Sequence, residues 1–213
     1  MVTGGITTRG NELAPLELTY EEIEVAVQEA HRRGRKVVIH AHGRTGIEMG
    51  LKAGVDSIEH AIMMDDELAK IAAAQGTYVV PTFCAHYFAV QEGLKQNKMS
   101  LSFEKSREVT DIQRKNIFHA YQQGVKIAMG TDAGTPFNTF ETIHQELRIM
   151  ADIGIPAIEV LKMSTYNSAD LMDLVDLGSI DVGKKATFVI FDQDPTVDIN
   201  NLDSISAVLS KRN

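Results

Sequence analysis

The amino-acid sequence predicts an α/β fold, in which parallel strands alternate with helices and a small β appendage follows. Three observations support this prediction. Helical and β-branched segments alternate from residue 19 onward, the first three strands begin about 20 residues apart, and a turn-rich tail replaces the alternation after residue 177. Such spacing is typical of parallel strands that are joined by right-handed helical crossovers.

The first two strand–helix units have distinct local signals. Thr19 and Glu22 form a capping-box pattern that predicts the start of the first helix. Residues 36–40 (KVVIH) are a short β-branched run, which predicts a strand. We then expect a helix over 45–54 and a second strand over 55–60. Both predicted strands end in a histidine.

The next two units repeat this pattern with a longer connection between them. An acidic pair at the start of 65–76 predicts a third helix, and 77–82 is the third predicted strand. The sequence then predicts a long excursion over 83–102, a helix that ends at Gly124, and a fourth strand over 125–132. A long loop of this kind is typical of a lid over a binding site.

After two more predicted helices the chain becomes rich in turn residues. Residues 186–191 and 205–209 predict two short strands, separated by the break at Asp192–Pro195. We therefore divide the chain into a strand–helix domain, residues 1–177, and a β appendage, residues 178–213.

Composition excludes several classes of function. Lys and Arg total 21 against 29 Asp and Glu, so the formal net charge is −8, and no basic cluster is present to bind nucleic acid. No apolar run reaches the roughly 18–20 residues that span a bilayer, which predicts no membrane partner. No secretory signal pattern is visible, which leaves the compartment open, with the cytoplasm as the default. Cys84, in an apolar run, is predicted to be a buried, inert thiol.

Three polar residues lie at the carboxyl ends of predicted strands: His40, His60 and Asp132. In a strand–helix barrel the loops that carry catalytic groups converge at this end. Two imidazoles and a carboxylate are a common ligand set for zinc or a similar divalent metal. His42 lies two residues beyond His40, on the same side of the strand if that strand continues. It is a candidate ligand or substrate contact.

Four ordered motifs resemble the amidohydrolase superfamily. They are VIHAHG at 38–43, AGVDSIEH at 53–60, MGTDAG at 129–134, and the tail over 178–195, and together they cover nearly all of the chain. The resemblance is strongest to the imidazolonepropionase-like branch, which includes Xaa-Pro dipeptidases and related metallo-carboxypeptidases. It implies a partial TIM (β/α)8 barrel, made of strands 5–8 and their helices, with a small C-terminal piece of a β-sandwich.

The resemblance also implies a role for each strand-end residue. His40 corresponds to the metal-binding histidine of the fifth barrel strand, and His60 to that of the sixth. Asp132 corresponds to the eighth-strand aspartate, which binds metal and moves a proton from the attacking water. Zinc or another divalent metal is the implied cofactor, and a small molecule or dipeptide is the implied substrate.

The sequence departs from the family pattern at its beginning. The family's His-x-His pair on the first strand and its lysine on the fourth are not found, and 1–5 resembles the residues just after that lysine. We therefore expect a truncated chain that lacks the first half of the barrel. With those ligands missing, we expect the chain alone to bind zinc weakly and to hydrolyse acyl-dipeptides slowly or not at all.

Four strands cannot close such a barrel, which predicts two open strand edges. We expect apolar residues along these edges to recruit either a second copy of this chain or a complementary N-terminal chain; these residues are Val38, Ile39, Val79, Val80 and Ile127.

Secondary candidates surround the three strand-end residues. Arg44 could bind a substrate carboxylate with its guanidinium fork. Tyr87 and His86, after the third predicted strand, are candidate substrate contacts within the lid. His144 lies where relatives carry a substrate-side histidine. Each has an ordinary structural alternative, as a surface or loop residue.

The residues leave three functions open. The first is a metal-dependent hydrolase that acts on carbon–nitrogen bonds of amides or peptides. The second is a deaminase of a heterocycle, which uses the same ligands. The third is an inactive half-barrel that needs a partner chain.

Overall fold

The computed structural model describes residues 1–5, 14–95 and 101–210. Within these ranges four strands form one parallel sheet whose order follows the chain. The strands are β1 (Val38–Ala41), β2 (Ser57–His60), β3 (Tyr78–Val80) and β4 (Lys126–Ile127). The α/β fold with a parallel sheet is therefore confirmed.

Helices connect the strands and cover one face of the sheet. Their bounds are α1 Tyr20–Arg32, α2 Arg44–Ala53, α3 Asp66–Gln75, α4 Phe83–Lys95, α5 Leu101–Gln122, α6 Ile143–Asp152, α7 Ala157–Lys162 and α8 Ser168–Leu171. A π-helical segment, Met163–Asn167, joins α7 to α8. The predicted capping box is confirmed, since the Thr19 side chain accepts from the Glu22 N–H and the Glu22 carboxylate accepts from the Thr19 N–H.

The main core lies between the helices and the sheet. Alternate residues of each strand point to the same face of the sheet. One face packs against the apolar sides of α1, α2, α3 and α5. Its strand residues are fully or almost fully buried: Ile39, Ala41, Ile58, Val79 and Ile127. The opposite face carries two rows of paired residues: His40 lies beside Glu59, and Tyr78 lies beside Lys126. The polar side chains relevant to function therefore lie away from the helical layer or at the strand ends.

Two predicted elements differ from the structure. The predicted excursion over 83–102 is wrong for its first part, because Phe83–Lys95 is the helix α4. Its middle part, residues 96–100, lies outside the described residues. The carboxylate of Glu146 accepts the N–H groups of Phe83 and Cys84, each at 2.8 Å, and so satisfies donors that the first turn of a helix leaves unpaired. The fourth strand is also shorter than 125–132, because after Ala128 the Met129 N–H turns to the Met163 carbonyl.

The prediction of two open strand edges is wrong for several edge atoms. Beside β1, the Val2 N–H donates to the His40 carbonyl at 3.0 Å, and Thr3 lies next to it. Beside β4, the Asn167 side chain donates to the Ile127 carbonyl at 2.7 Å. The predicted edge residues Val79 and Val80 belong to β3, which lies between β2 and β4.

The tail forms a separate antiparallel hairpin of β5 (Thr187–Phe191) and β6 (Ile205–Ser210), as the sequence predicts. Its apolar side chains remain about half exposed, among them Val189, Val208 and Leu209. Elsewhere Cys84 is a buried free thiol, as predicted. Among the described helices none combines the length and apolarity that a bilayer crossing requires.

Candidate metal centre

Three histidines meet at the carboxyl ends of β1 and β2. In His40, His42 and His60, one ring nitrogen each lies within 4.8 Å of the others. Their ring centroids are 4.4 to 4.5 Å apart, and the His60 Nε2 atom lies 2.8 Å from the His40 Nδ1 atom. We call these three residues the histidine trio. Among the described residues, they are the group whose nitrogen atoms lie close enough together to hold a metal ion.

Backbone contacts hold the trio in place. His40 lies opposite Glu59 in the register of β1 and β2. The His42 N–H donates to the Thr3 hydroxyl at 2.9 Å, and its carbonyl accepts the Met63 N–H at 2.9 Å. The His60 carbonyl accepts a hydrogen bond from the Gln113 side chain at 2.9 Å, which ties this strand end to α5.

The backbone is strained where three of the strands give way to loops. His60, Thr82 and Asp132 have φ values of 70°, 56° and 54°, in the left-handed region that side-chain-bearing residues rarely adopt. Each residue follows or ends a different strand of the sheet. Such strain persists only where surrounding contacts impose it, and it clusters at functional sites.

Thr82 determines which nitrogen of His60 carries the proton. Its hydroxyl donates to the Pro81 carbonyl at 2.6 Å, so its lone pair accepts the His60 Nδ1–H at 2.5 Å. The His60 Nε2 atom is therefore unprotonated, and its lone pair accepts a hydrogen bond from the His40 Nδ1–H at 2.8 Å. A second hydrogen bond that selects the tautomer is the usual arrangement of a metal-binding histidine.

Burial keeps the histidines neutral. It lowers the pKa of His42 to about 2 and that of His60 to about 3, and the neighbouring histidines add to both effects. Burial also lowers the pKa of His40. Neutral imidazoles present lone pairs, which is the form that binds a metal ion.

The donor set fits a divalent transition metal. Among the described residues, the buried atoms His40 Nε2 and His42 Nδ1 have no hydrogen-bond partner. A buried polar atom without a partner is unfavourable, and coordination would satisfy it. Imidazole nitrogens suit zinc, cobalt, nickel or copper better than magnesium or calcium.

The structure brings together two of the three predicted ligands. His40 and His60 are adjacent, whereas Asp132 is not part of the histidine trio. Asp132 follows the end of β4 in a loop where the Asn138 side chain donates to the carbonyls of Thr131 and Asp132. Burial raises the pKa of its carboxyl group.

Two further groups belong to this site. Glu59 of β2 lies next to His40 of the neighbouring strand β1. Burial raises the pKa of the Glu59 carboxyl to about 7, and the charge of Asp132 adds to this effect. His86 is 9% exposed in the first turn of α4, with ring centroids 5.9 Å from His42 and 6.3 Å from His60. The motif DSIEH contained a signal for Glu59, as an acidic residue next to a strand-end histidine. The position of His86 depends on α4, which the sequence analysis missed.

Three predicted substrate contacts have other partners. The Arg44 guanidinium donates to Asp65, Glu48 and Glu67 at 2.6 to 2.8 Å, so each of its nitrogens already has a carboxylate partner. His144 lies 3.5 Å from Asp203, which also pairs with Arg148. Tyr87 is half-buried against the core beside Phe88. These contacts favour structural roles for the three residues: Arg44, Tyr87 and His144.

Solved structures with similar folds include a Xaa-Pro dipeptidase and a putative prolidase. A Xaa-Pro dipeptidase with bound methionine matches with a TM-score of 0.89 and 34% identity, over 98% of this chain and 52% of that one. A putative prolidase from Bifidobacterium longum matches with a TM-score of 0.86 and 26% identity, over 98% and 53% of the two chains.

Curated proteins with similar sequences include an ochratoxinase and a deaminase. Ochratoxinase of Aspergillus niger is 28% identical over 212 residues, covering 98% of this chain and 43% of its own. A 5-methylthioadenosine/S-adenosylhomocysteine deaminase of Thermoanaerobacter pseudethanolicus is 34% identical over 133 residues, covering 56% of this chain and 31% of its own. The chain thus spans about half the length of the relatives it matches, or less. The sequence model of the amidohydrolase family matches residues 1–213, and the chain belongs to this family.

Proposed function

We propose that this chain is the part of a metal-dependent hydrolase that carries the His40–His60 ligand pair, acting on carbon–nitrogen bonds of amides or peptides. The observation that carries the proposal is the histidine trio, in which the Thr82 contact leaves the His60 Nε2 atom unprotonated. The chain would form strands 5–8 of a (β/α)8 barrel, with residues 1–177 in the barrel and 178–213 in a β-sandwich piece.

Each residue has a distinct task in this proposal. His40, His42 and His60 would hold the ion, which when bound supplies a Lewis acid that activates water near neutral pH. Thr82 keeps His60 in the tautomer that binds. Asp132 accepts the proton of the attacking water and passes it to the leaving nitrogen, and the raised pKa of its carboxyl group suits it to act as a base.

Two similar structures support a dipeptide as substrate. One similar structure is a Xaa-Pro dipeptidase, and another is a putative prolidase. We propose a dipeptide as the substrate, and zinc as the metal because the three candidate ligands are imidazole nitrogens. Deamination of a heterocycle is the alternative, supported by the 34% identity to the deaminase over 133 residues.

A substrate screen tests the reaction. We expect the purified chain, loaded with zinc, to hydrolyse Xaa-Pro dipeptides slowly in long incubations. Asp132→Asn should lower this rate at least ~100-fold, because the proton acceptor is lost, while zinc binding persists. Phe140→Ala, a change at an exposed position in the segment before α6, is the control and should keep the rate.

Two results would contradict the proposed reaction. Release of ammonia from adenosine-like or guanine-like substrates without any dipeptide hydrolysis would favour the deaminase. A zinc-loaded chain that turns over neither class would contradict the expected slow hydrolysis and would leave activity only to the chain combined with a complementary barrel half.

We further propose that the chain associates with another chain, either a second copy or a complementary barrel half. An isolated two-stranded hairpin is marginally stable, and β5–β6 exposes Val189, Val208 and Leu209. Light scattering coupled to size-exclusion chromatography should find a mass above 23.4 kDa that depends on concentration. A sharp peak at the monomer mass at every concentration would exclude self-association.

A further inference from the structure

Gln113 of α5 is a buried amide that the proposed reaction does not use. Its side chain is 1% exposed, and its Nε2 atom donates to the His60 carbonyl at 2.9 Å and to the Pro81 carbonyl at 2.6 Å. Its Oε1 atom has no hydrogen-bond partner among the described residues. An unpaired buried acceptor is destabilising, and an apolar side chain of similar size would avoid that cost. The amide at this position is therefore explained by its two donors and not by packing.

Both carbonyls that Gln113 holds precede a residue with a strained backbone. Ala61 follows the His60 carbonyl and has φ of 47°, and Thr82 follows the Pro81 carbonyl and has φ of 56°. A carbonyl and the next N–H share one rigid peptide plane, so fixing the carbonyl restricts the φ of the next residue. One side chain of α5 thus restrains the left-handed backbone after both β2 and β3, and such conformations persist only where surrounding contacts impose them.

The Pro81 carbonyl also determines the direction in which the Thr82 hydroxyl donates. The hydroxyl donates to this carbonyl at 2.6 Å and accepts the His60 Nδ1–H at 2.5 Å. If the peptide plane between Pro81 and Thr82 rotated, the hydroxyl would lose its acceptor and would be free to donate to Nδ1 instead. His60 would then carry its proton on Nε2, the atom proposed to bind metal.

We propose that Gln113 is a positioning residue of the metal centre. By holding the carbonyls of His60 and Pro81, it keeps the Thr82 hydroxyl an acceptor for His60 and so keeps the His60 Nε2 atom unprotonated. The inference rests on the proposed function where it concerns metal affinity. The effect of Gln113 on the His60 tautomer does not require a bound ion.

Two measurements on Gln113→Met test this role. Methionine is about as long as glutamine and has no side-chain N–H, so it fills the space and releases both carbonyls. Titration of the metal-free full chain with cobalt(II) alone should show an affinity at least about 10-fold lower, because groups that orient a metal ligand contribute on this scale. In ¹⁵N NMR of the metal-free chain, His60 should carry its proton on Nδ1, and the variant should lose this single tautomer. The spectrum of His60→Ala assigns the signals.

Asn116→Leu is the matched control. Asn116 is another amide of α5, and it donates to the Ile62 carbonyl at 2.8 Å, two residues beyond His60. Its replacement removes a comparable hydrogen bond between α5 and the same loop, but the carbonyls held by Gln113 keep their donor. We therefore expect the cobalt affinity and the His60 tautomer of the unmodified chain.

The outcomes separate this inference from the proposed function. If the unmodified chain binds no cobalt, the proposed function fails, and the tautomer spectra still decide the role of Gln113. If it binds cobalt, an unchanged affinity or tautomer in Gln113→Met, or equal changes in Asn116→Leu, would overturn only the inference. Circular dichroism establishes that each variant is folded, and Gln113→Asn, with a shorter reach, replaces Gln113→Met if the latter is not. A His60 proton on Nε2 in the unmodified chain would overturn the inference without any variant.

Discussion

Replacing His60 by alanine is expected to lower the affinity of the chain for zinc by about 100-fold or more. The substitution removes the unprotonated Nε2 atom of His60, and it leaves the His40 Nδ1 atom without its hydrogen-bond partner at 2.8 Å. Losing even a residue that only orients a ligand costs 10–100-fold in metal affinity, so losing the ligand should cost at least as much. Competition with a chromophoric chelator measures the affinity.

A surface histidine provides the control for this loss. His31 of α1 is exposed and pairs with Asp56 at 2.8 Å, so His31→Ala should bind zinc as the unmodified chain does. Thr82→Val keeps every imidazole but removes the acceptor of the His60 Nδ1–H, and it should weaken binding by about 10-fold. Equal zinc affinity in the His60→Ala, Thr82→Val and unmodified chains would eliminate the histidine trio as a metal site.

Replacing Glu146 by glutamine is expected to destabilise the fold by about 1–3 kcal/mol at pH 5. At pH 5 the carboxyl group of Glu146 is protonated, but its hydroxyl oxygen still has a lone pair that can accept an N–H. The amide nitrogen of glutamine cannot accept, so one buried N–H of the α4 start is left without a partner. Because α4 carries His86, the change should also disturb the metal centre. Urea unfolding followed by circular dichroism measures the difference in free energy.

The cost of this substitution should depend on pH. Burial raises the pKa of Glu146 to about 7 in the folded chain, above its usual value of 4.5. The folded state then holds a proton that the unfolded state releases between these two values. The stability from this group is complete below pH 4.5 and is lost as pH rises to about 7. Glutamine does not titrate, so the difference in unfolding free energy between the unmodified chain and Glu146→Gln should narrow from pH 5 to pH 8.

Glu141→Gln controls for the general effect of removing a carboxylate. Glu141 is exposed in the 3₁₀ segment Phe140–Thr142 that precedes α6, and its replacement should change stability little at either pH. A stability gap for Glu146→Gln that stays constant from pH 5 to pH 8 would mean that Glu146 does not titrate in this range.

Most of the fold could be predicted because its signals are local. The capping box at Thr19, the acidic start of α3 and the β-branched runs before His40 and His60 depend on neighbouring residues alone, and the structure has those elements. The helix α4 was missed because its N-terminal donors are satisfied by Glu146, more than 60 residues away in the chain. No local pattern reports such a partner.

The candidate site likewise combines residues that local patterns predict with residues that only tertiary packing brings near. The sequence by itself determined that His40 and His60 end adjacent parallel strands, because strand periodicity and spacing specify where each side chain leaves the sheet. Only the tertiary structure decided that His42 and His86 lie near them, while Asp132 is not part of the trio. It also decided that the Arg44 guanidinium donates to three carboxylates: Asp65, Glu48 and Glu67. Distances between residues of different elements depend on how helices pack and where loops turn, and a linear pattern does not contain them.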